Sequence, residues 1–202
     1  MRGTEFSYIK NGADALIEDM IATLGFDIFY ISSSVFLLAF FIIAYYQKKN
    51  YDSFTIYKSY LSIMLFESFV YALLLFLLLG NMSLYLMDIS VQDIKFNIIL
   101  SLGAGIYEEL IFRVFSIFVL YKFISFIFKS MRHFSTQFFA LLLSSILFSL
   151  FHFMGTESFS QEAFTIRFIA GILLGILYIN RGFGITAITH SFYDIFVIFQ
   201  LT

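Results

Sequence analysis

Glu108, Glu109 and Arg113 stand inside an apolar run, with Asn97-Ile-Ile-Leu100 before them and Val114-Phe-Ser-Ile-Phe-Val-Leu120 after. Ionisable groups so placed are expensive in a bilayer and face a protein interior, where they do something. On a helix, Glu109 and Arg113 are one turn apart on one face and can pair, while Glu108 points about 100° away. One carboxylate then has a built-in partner and its neighbour is free to act. A charge cluster that only locks helices together explains the stretch equally well, so partners elsewhere must decide.

Two such partners are histidines. His152 shares a helix face with Phe148 at i, i+4, and His190 shares one with Asp194 at the same spacing. Glu67 has no motif around it and is read as a protonated or hydrogen-bonded packing residue; His133 lies in a basic turn and is read as solvated. A lone buried histidine is more often a satisfied core residue than a catalyst. Two histidines and two glutamates on three hydrophobic segments reverse that expectation. A carboxylate and an imidazole around one water form a general base able to attack a carbonyl. Glu108, His152 and His190 also make a donor set that zinc accepts, with water in the open position. Metal-bound and metal-free chemistry both stay open. With no cysteine, there is no disulfide, thiolate metal site or cysteine nucleophile. The phosphate-loop, His-Glu-x-x-His and Gly-x-Ser-x-Gly patterns are missing as well. The chemistry indicated is water activation.

Those residues must be positioned by membrane helices. Of 202 residues 60% are hydrophobic and 13% charged, against about 45–50% and about 25% in soluble proteins. The fold class is all-α: a polytopic integral membrane bundle of about six spans at roughly 20 residues each, with an N-terminal interfacial helix. A net charge of -2 and the lack of a basic patch give no sign of nucleic acid. The first apolar run lacks a basic flank and a small-residue cleavage site, so no cleavable signal peptide is expected. Residues 1–26 form the interfacial segment, amphipathic over 8–24. Residues 27–93 hold two accessory spans, at 27–46 and 59–80.

Residues 94–202 form a core of four spans, at about 94–128, 136–153, 164–179 and 185–200. The first of these four exceeds one span, so it tilts, extends beyond the bilayer or bends near Gly103 and Gly105. Gly171 and Gly175 would let the next-to-last span pack closely, and Asn180-Arg-Gly-Phe-Gly184 reads as a tight turn. Lys48, Lys49, Lys58, Lys129, Arg132 and Arg181 fall in alternate loops, which are therefore cytoplasmic and leave both termini outside. One mismatch remains: His152 ends its span, whereas Glu108 is roughly 18 Å into its own at about 1.5 Å per residue.

Taken in order, Glu108-Glu109-x-x-x-Arg113, Phe148-x-x-x-His152 and His190-x-x-x-Asp194 resemble the three motifs of the CPBP intramembrane proteases. This is the CAAX protease and bacteriocin-processing family, which includes the type II CAAX prenyl endopeptidases. Ala170–Tyr178 and Ile185–His190 resemble it too, so the likeness covers about 95–200. It implies a multi-pass enzyme of a bacterial plasma membrane that cuts a lipidated, prenylated or otherwise hydrophobic peptide near its C-terminus. Carried over, Glu108 and His152 would activate the water, Glu109 would support the site and pair with Arg113, and His190 and residue 194 would bind the oxyanion. An Asn is common where Asp194 stands. Asp194 could donate a hydrogen bond as a neutral carboxyl or orient His190 as a charged one; the shared face favours orientation. Two other readings remain, a non-catalytic immunity or peptide-binding protein using the same pocket, and an ion or proton transporter, for which no half-to-half similarity is found.

Overall fold

The computed structural model describes residues 58–83, 94–154 and 158–201, together with Tyr45 and Lys49. The segment expected to be interfacial at 8–24 lies outside the described residues, as do residues 84–93 and, Tyr45 apart, the span at 27–46. The described chain is helical throughout: α1 (Lys58–Ser83), α2 (Ile94–Glu109), a π-helical turn (Leu110–Ser116), α3 (Ile117–Ile127), α4 (His133–Phe151), a 3-10 turn (His152–Met154), α5 (Gln161–Arg181) and α6 (Phe183–Leu201). Among the described residues four runs are long and apolar enough to cross a membrane, Lys58–Leu79, Ser101–Ile127, His133–Met154 and Gln161–Arg181; Phe183–Phe199 is a shorter apolar helix. Phe66, Leu77, Phe126 and Phe134 point outward and are largely exposed. Helices apolar on every face belong in lipid, where such side chains meet acyl chains instead of water.

Helix α6 is the hub, packing against α1, α2 and α5, while α4 packs against α3 and α5. Lipid tails are as apolar as leucine, so helices associate here through close approach and hydrogen bonds. Small residues supply both. A Cβ on Gly171 would meet Ser145 Cβ at 3.1 Å, and one on Gly175 would meet Leu141 Cγ at 3.1 Å, so the expected glycine pair seats α5 on α4. Ser68 donates to Ile185 O at 3.3 Å and Thr189 to Ser68 O at 3.4 Å, joining α1 to α6. Ser149 donates to Phe164 O at 2.7 Å, joining α4 to α5.

The long segment does not depart from α geometry at its glycines. Helix α2 runs through both, and the irregular turn follows at Leu110–Ser116. Such a turn widens the backbone ladder and is frequent at functional sites. Ser144 on α4 donates its hydroxyl to Phe112 O, within the turn. The two glycines differ in purpose: a Cβ at Gly103 meets nothing within 4 Å, whereas one at Gly105 would collide with Ser191 N at 2.8 Å and Ala187 O at 2.9 Å. Gly105 is where α2 lies directly on the backbone of α6. The turn between α5 and α6 is made by Gly182, whose φ of 83° suits a residue without a side chain.

Gly105→Ala should therefore lower thermal stability in detergent by about 1–3 kcal/mol, the usual cost of overpacking. Gly103→Ala should be neutral or stabilising, since alanine favours the helix by up to about 1 kcal/mol. Thermal melts of the two variants side by side check this; equal effects would contradict the close approach.

Candidate active site

The last turn of α2 delivers Glu108 and Glu109 to the interior, and the π turn delivers Arg113; all three are sealed from solvent. Glu109 lies between Arg113 and His190. Its Oε2 is 3.0 Å from Arg113 Nε, and its Oε1 is 2.8 Å from His190 Nδ1. The first is a charge contact without hydrogen-bond alignment, for none of Arg113's guanidinium nitrogens has an aligned acceptor among the described residues. Instead the guanidinium carbon lies 4.6 Å from the centre of the Phe148 ring, a cation–π contact that strengthens when desolvated. An ionised carboxylate only accepts, so His190 Nδ1 carries the proton donated to Glu109.

His152 is anchored differently. Its Nδ1 is 2.8 Å from Phe148 O, and since a carbonyl only accepts, that nitrogen is the donor. The lone pair of a neutral His152 is then on Nε2. Both rings turn Nε2 toward Glu108: Oε2 is 3.8 Å from His152 Nε2 and 3.9 Å from His190 Nε2. These gaps are too long for direct hydrogen bonds and suit a bridging water. Phe148 packs edge-on against His152 at 4.9 Å and His190 at 6.1 Å between ring centres. It is thus a spacer for both histidines and a lid on Arg113.

All seven residues singled out from sequence for the site (Glu108, Glu109, Arg113, Phe148, His152, His190 and Asp194) come together here. The depth mismatch narrows, because the apolar run begins at Ser101 and not at Ile94, which puts Glu108 about 10 Å in. Asp194 requires a revision. Expected to orient His190, it lies 3.7 Å from Nε2, on the side of the ring that faces Glu108. Glu109, one helix away, holds Nδ1. The i, i+4 spacing placed Asp194 on the correct face but could not say which nitrogen it meets.

Glu67 is paired with Arg181 through Nε to Oε1 and Nη2 to Oε2, each 2.5 Å, a fork that ties α1 to the end of α5. That is a packing role, as expected, with a partner that sequence did not reveal. His133 is exposed, 5.3 Å from Tyr121 between ring centres. Arg167 was missed altogether: it stands over Phe153, the residue after His152, at 5.2 Å. Its signal was an arginine six residues inside α5, away from the basic loops.

The donor types of Glu108, His152 and His190 suit zinc. As arranged they sit wider than the roughly 3.4 Å between donors of a tetrahedral ion with bonds of about 2.0–2.1 Å. Among the described residues no three His, Asp or Glu side chains group closely enough to hold a metal ion.

A family model described as type II CAAX prenyl endopeptidase Rce1-like matches residues 90–196, which is just over half of the chain and includes every site residue from Glu108 to Asp194. No curated protein and no solved structure matches. The chain belongs to the Rce1-like family of type II CAAX prenyl endopeptidases.

Proposed function

We propose that this protein is an intramembrane endopeptidase that hydrolyses a peptide bond near the C-terminus of a prenylated or otherwise hydrophobic peptide, using water activated by Glu108 and His152. The observation that carries the reading is Glu108 Oε2 facing His152 Nε2 at 3.8 Å, with His152 Nδ1 already engaged by Phe148 O. Two acceptors at that separation take both hydrogens of one water and leave its oxygen lone pair outward. Family membership supports the peptide substrate, and the lipid-facing helices support delivery from within the bilayer.

The reaction needs no group beyond these side chains. Water attacks the scissile carbonyl as its proton passes to Glu108, and the carbonyl oxygen becomes the oxyanion. His190 faces it with Nε2. Because the Nδ1 proton is committed to Glu109, Nε2 donates when the ring is an imidazolium. Asp194 acts as a neutral carboxyl donating to the same oxyanion. Glu108 then returns its proton to the leaving amine nitrogen, giving one carboxylic acid and one amine per water consumed.

Glu108→Gln should abolish cleavage of a hydrophobic test peptide in detergent while the protein stays folded, a fall of at least roughly 10²–10⁴ in rate. A normal rate would refute the water assignment. Exhaustive chelation should leave the wild-type rate unchanged; a loss restored by zinc would move the chemistry onto an ion held by Glu108, His152 and His190. Asp194→Asn should retain at least half the wild-type rate, since an amide can replace the neutral carboxyl as donor. Asp194→Ala should lose roughly 10²–10³, the scale for one oxyanion donor. Should Asp194→Asn drop tenfold or more, charge at 194 is what counts and the donor role is wrong.

A further inference from the structure

Arg167 belongs to none of the three motifs, yet the packing of α4 on α5 puts it beside them. Gly171 touches Phe148: a Cβ there would meet Phe148 Cδ1 at 3.3 Å. The two helices run antiparallel, so one turn further α4 presents His152 and α5 presents Arg167, each four residues along. The contact of Arg167 Cζ with the Phe153 ring at 5.2 Å fixes the same level, and Arg167 is near enough to His152 to act on it electrostatically. Unlike Arg113, which is sealed, Arg167 is only partly buried. Its surroundings are aromatic: Phe153 and Phe159 are 5.1 Å apart, and Phe164 and Phe168 stack at 6.0 Å.

The charges of the site create a difficulty that Arg167 answers. Glu108, Glu109 and Asp194 converge, and the cation of Arg113 is taken up by Glu109. A peptide cut two or three residues from its end brings its own carboxylate within about 7–10 Å of the scissile bond, at roughly 3.3 Å per extended residue. With Arg113 committed to Glu109, the Glu108 carboxylate would repel it unless a cation waits at the edge. A guanidinium carries five N–H donors and grips a carboxylate through two of them, so it can take this group while keeping its existing contacts.

We propose that Arg167 is a specificity-determining residue that holds the free C-terminal carboxylate of the peptide, which makes the site select for a free chain end. The proposal rests on the peptidase reading above and assigns the end-recognition that it requires. Binding is measured in zwitterionic nanodiscs on the full chain carrying Glu108→Gln, with one fluorescent hydrophobic peptide made as a C-terminal acid and as an amide. In that background the acid should bind roughly tenfold more tightly than the amide, the low end for hydrogen bonds to a charged group. Adding Arg167→Gln should weaken the acid alone and erase the difference, while Arg167→Lys should keep part of it. A preference for the acid that persists in Arg167→Gln overturns the proposal. So does an equal loss for both peptides, the mark of an arginine that serves packing or lipid phosphate, or no preference at the outset. Failure of the peptidase reading would look different: neither peptide cut by wild type, with the discrimination in binding intact.

Discussion

Glu109 is a carboxylate with no solvent exposure, shared between Arg113 on one side and His190 on the other, and the site is built outward from it. Taking an ion out of water costs several kcal/mol after relaxation, and breaking a buried pair costs about 3–5 kcal/mol because it strands the remaining charge. The contact is therefore maintained whenever the helices are assembled. Its consequence is geometric. With Nδ1 of His190 fixed, Nε2 must face Glu108, and Glu108 is placed because it is the next residue on the same turn. The pair of glutamates divides into one that holds and one that faces both imidazole Nε2 atoms.

That division depends on backbone details outside the motifs. The π turn over Leu110–Ser116 carries Arg113 back to Glu109, and Ser144 satisfies a carbonyl within it. Gly105 lets α2 lie on the backbone of α6 next to Ser191, the neighbour of His190, so the Glu109–His190 distance is set by a missing side chain. Phe148 performs a third task, covering Arg113 while spacing both imidazoles. In lipid, where burial of apolar surface gives helices no reason to associate, such contacts supply the cohesion that a soluble enzyme draws from its core.

Much of this was legible in the sequence because membrane helices are punctuated by their exceptions. The spans could be bounded from hydropathy, and the described helices agree to within about three residues at 59–80, 136–153, 164–179 and 185–200. Pairing of Glu109 with Arg113 follows from one turn of helix. The Glu109–His190 contact does not, since it joins residues 81 apart and no local spacing encodes it. Asp194 was assigned the orienting role for that reason: the only carboxylate visible near His190 was the one on its own helix. A bend near Gly103 and Gly105 was one of three ways expected to accommodate the long segment, because glycine is the usual mark of a break, whereas here Gly105 marks an approach. Arg167 and the Arg181 partner of Glu67 lay outside any pattern, and only the packing of α5 gives them meaning.

The central claim is that the attacking group is water itself, held by Glu108 and His152, with no covalent stage on the protein. It is tested most directly by cleaving a hydrophobic peptide in 18O-enriched water containing hydroxylamine and weighing the products. Direct attack predicts one 18O atom in the new carboxylate of the N-terminal product, none in the C-terminal product, and no hydroxamate. A hydroxamate at the new terminus would reveal an acyl-enzyme and contradict the account.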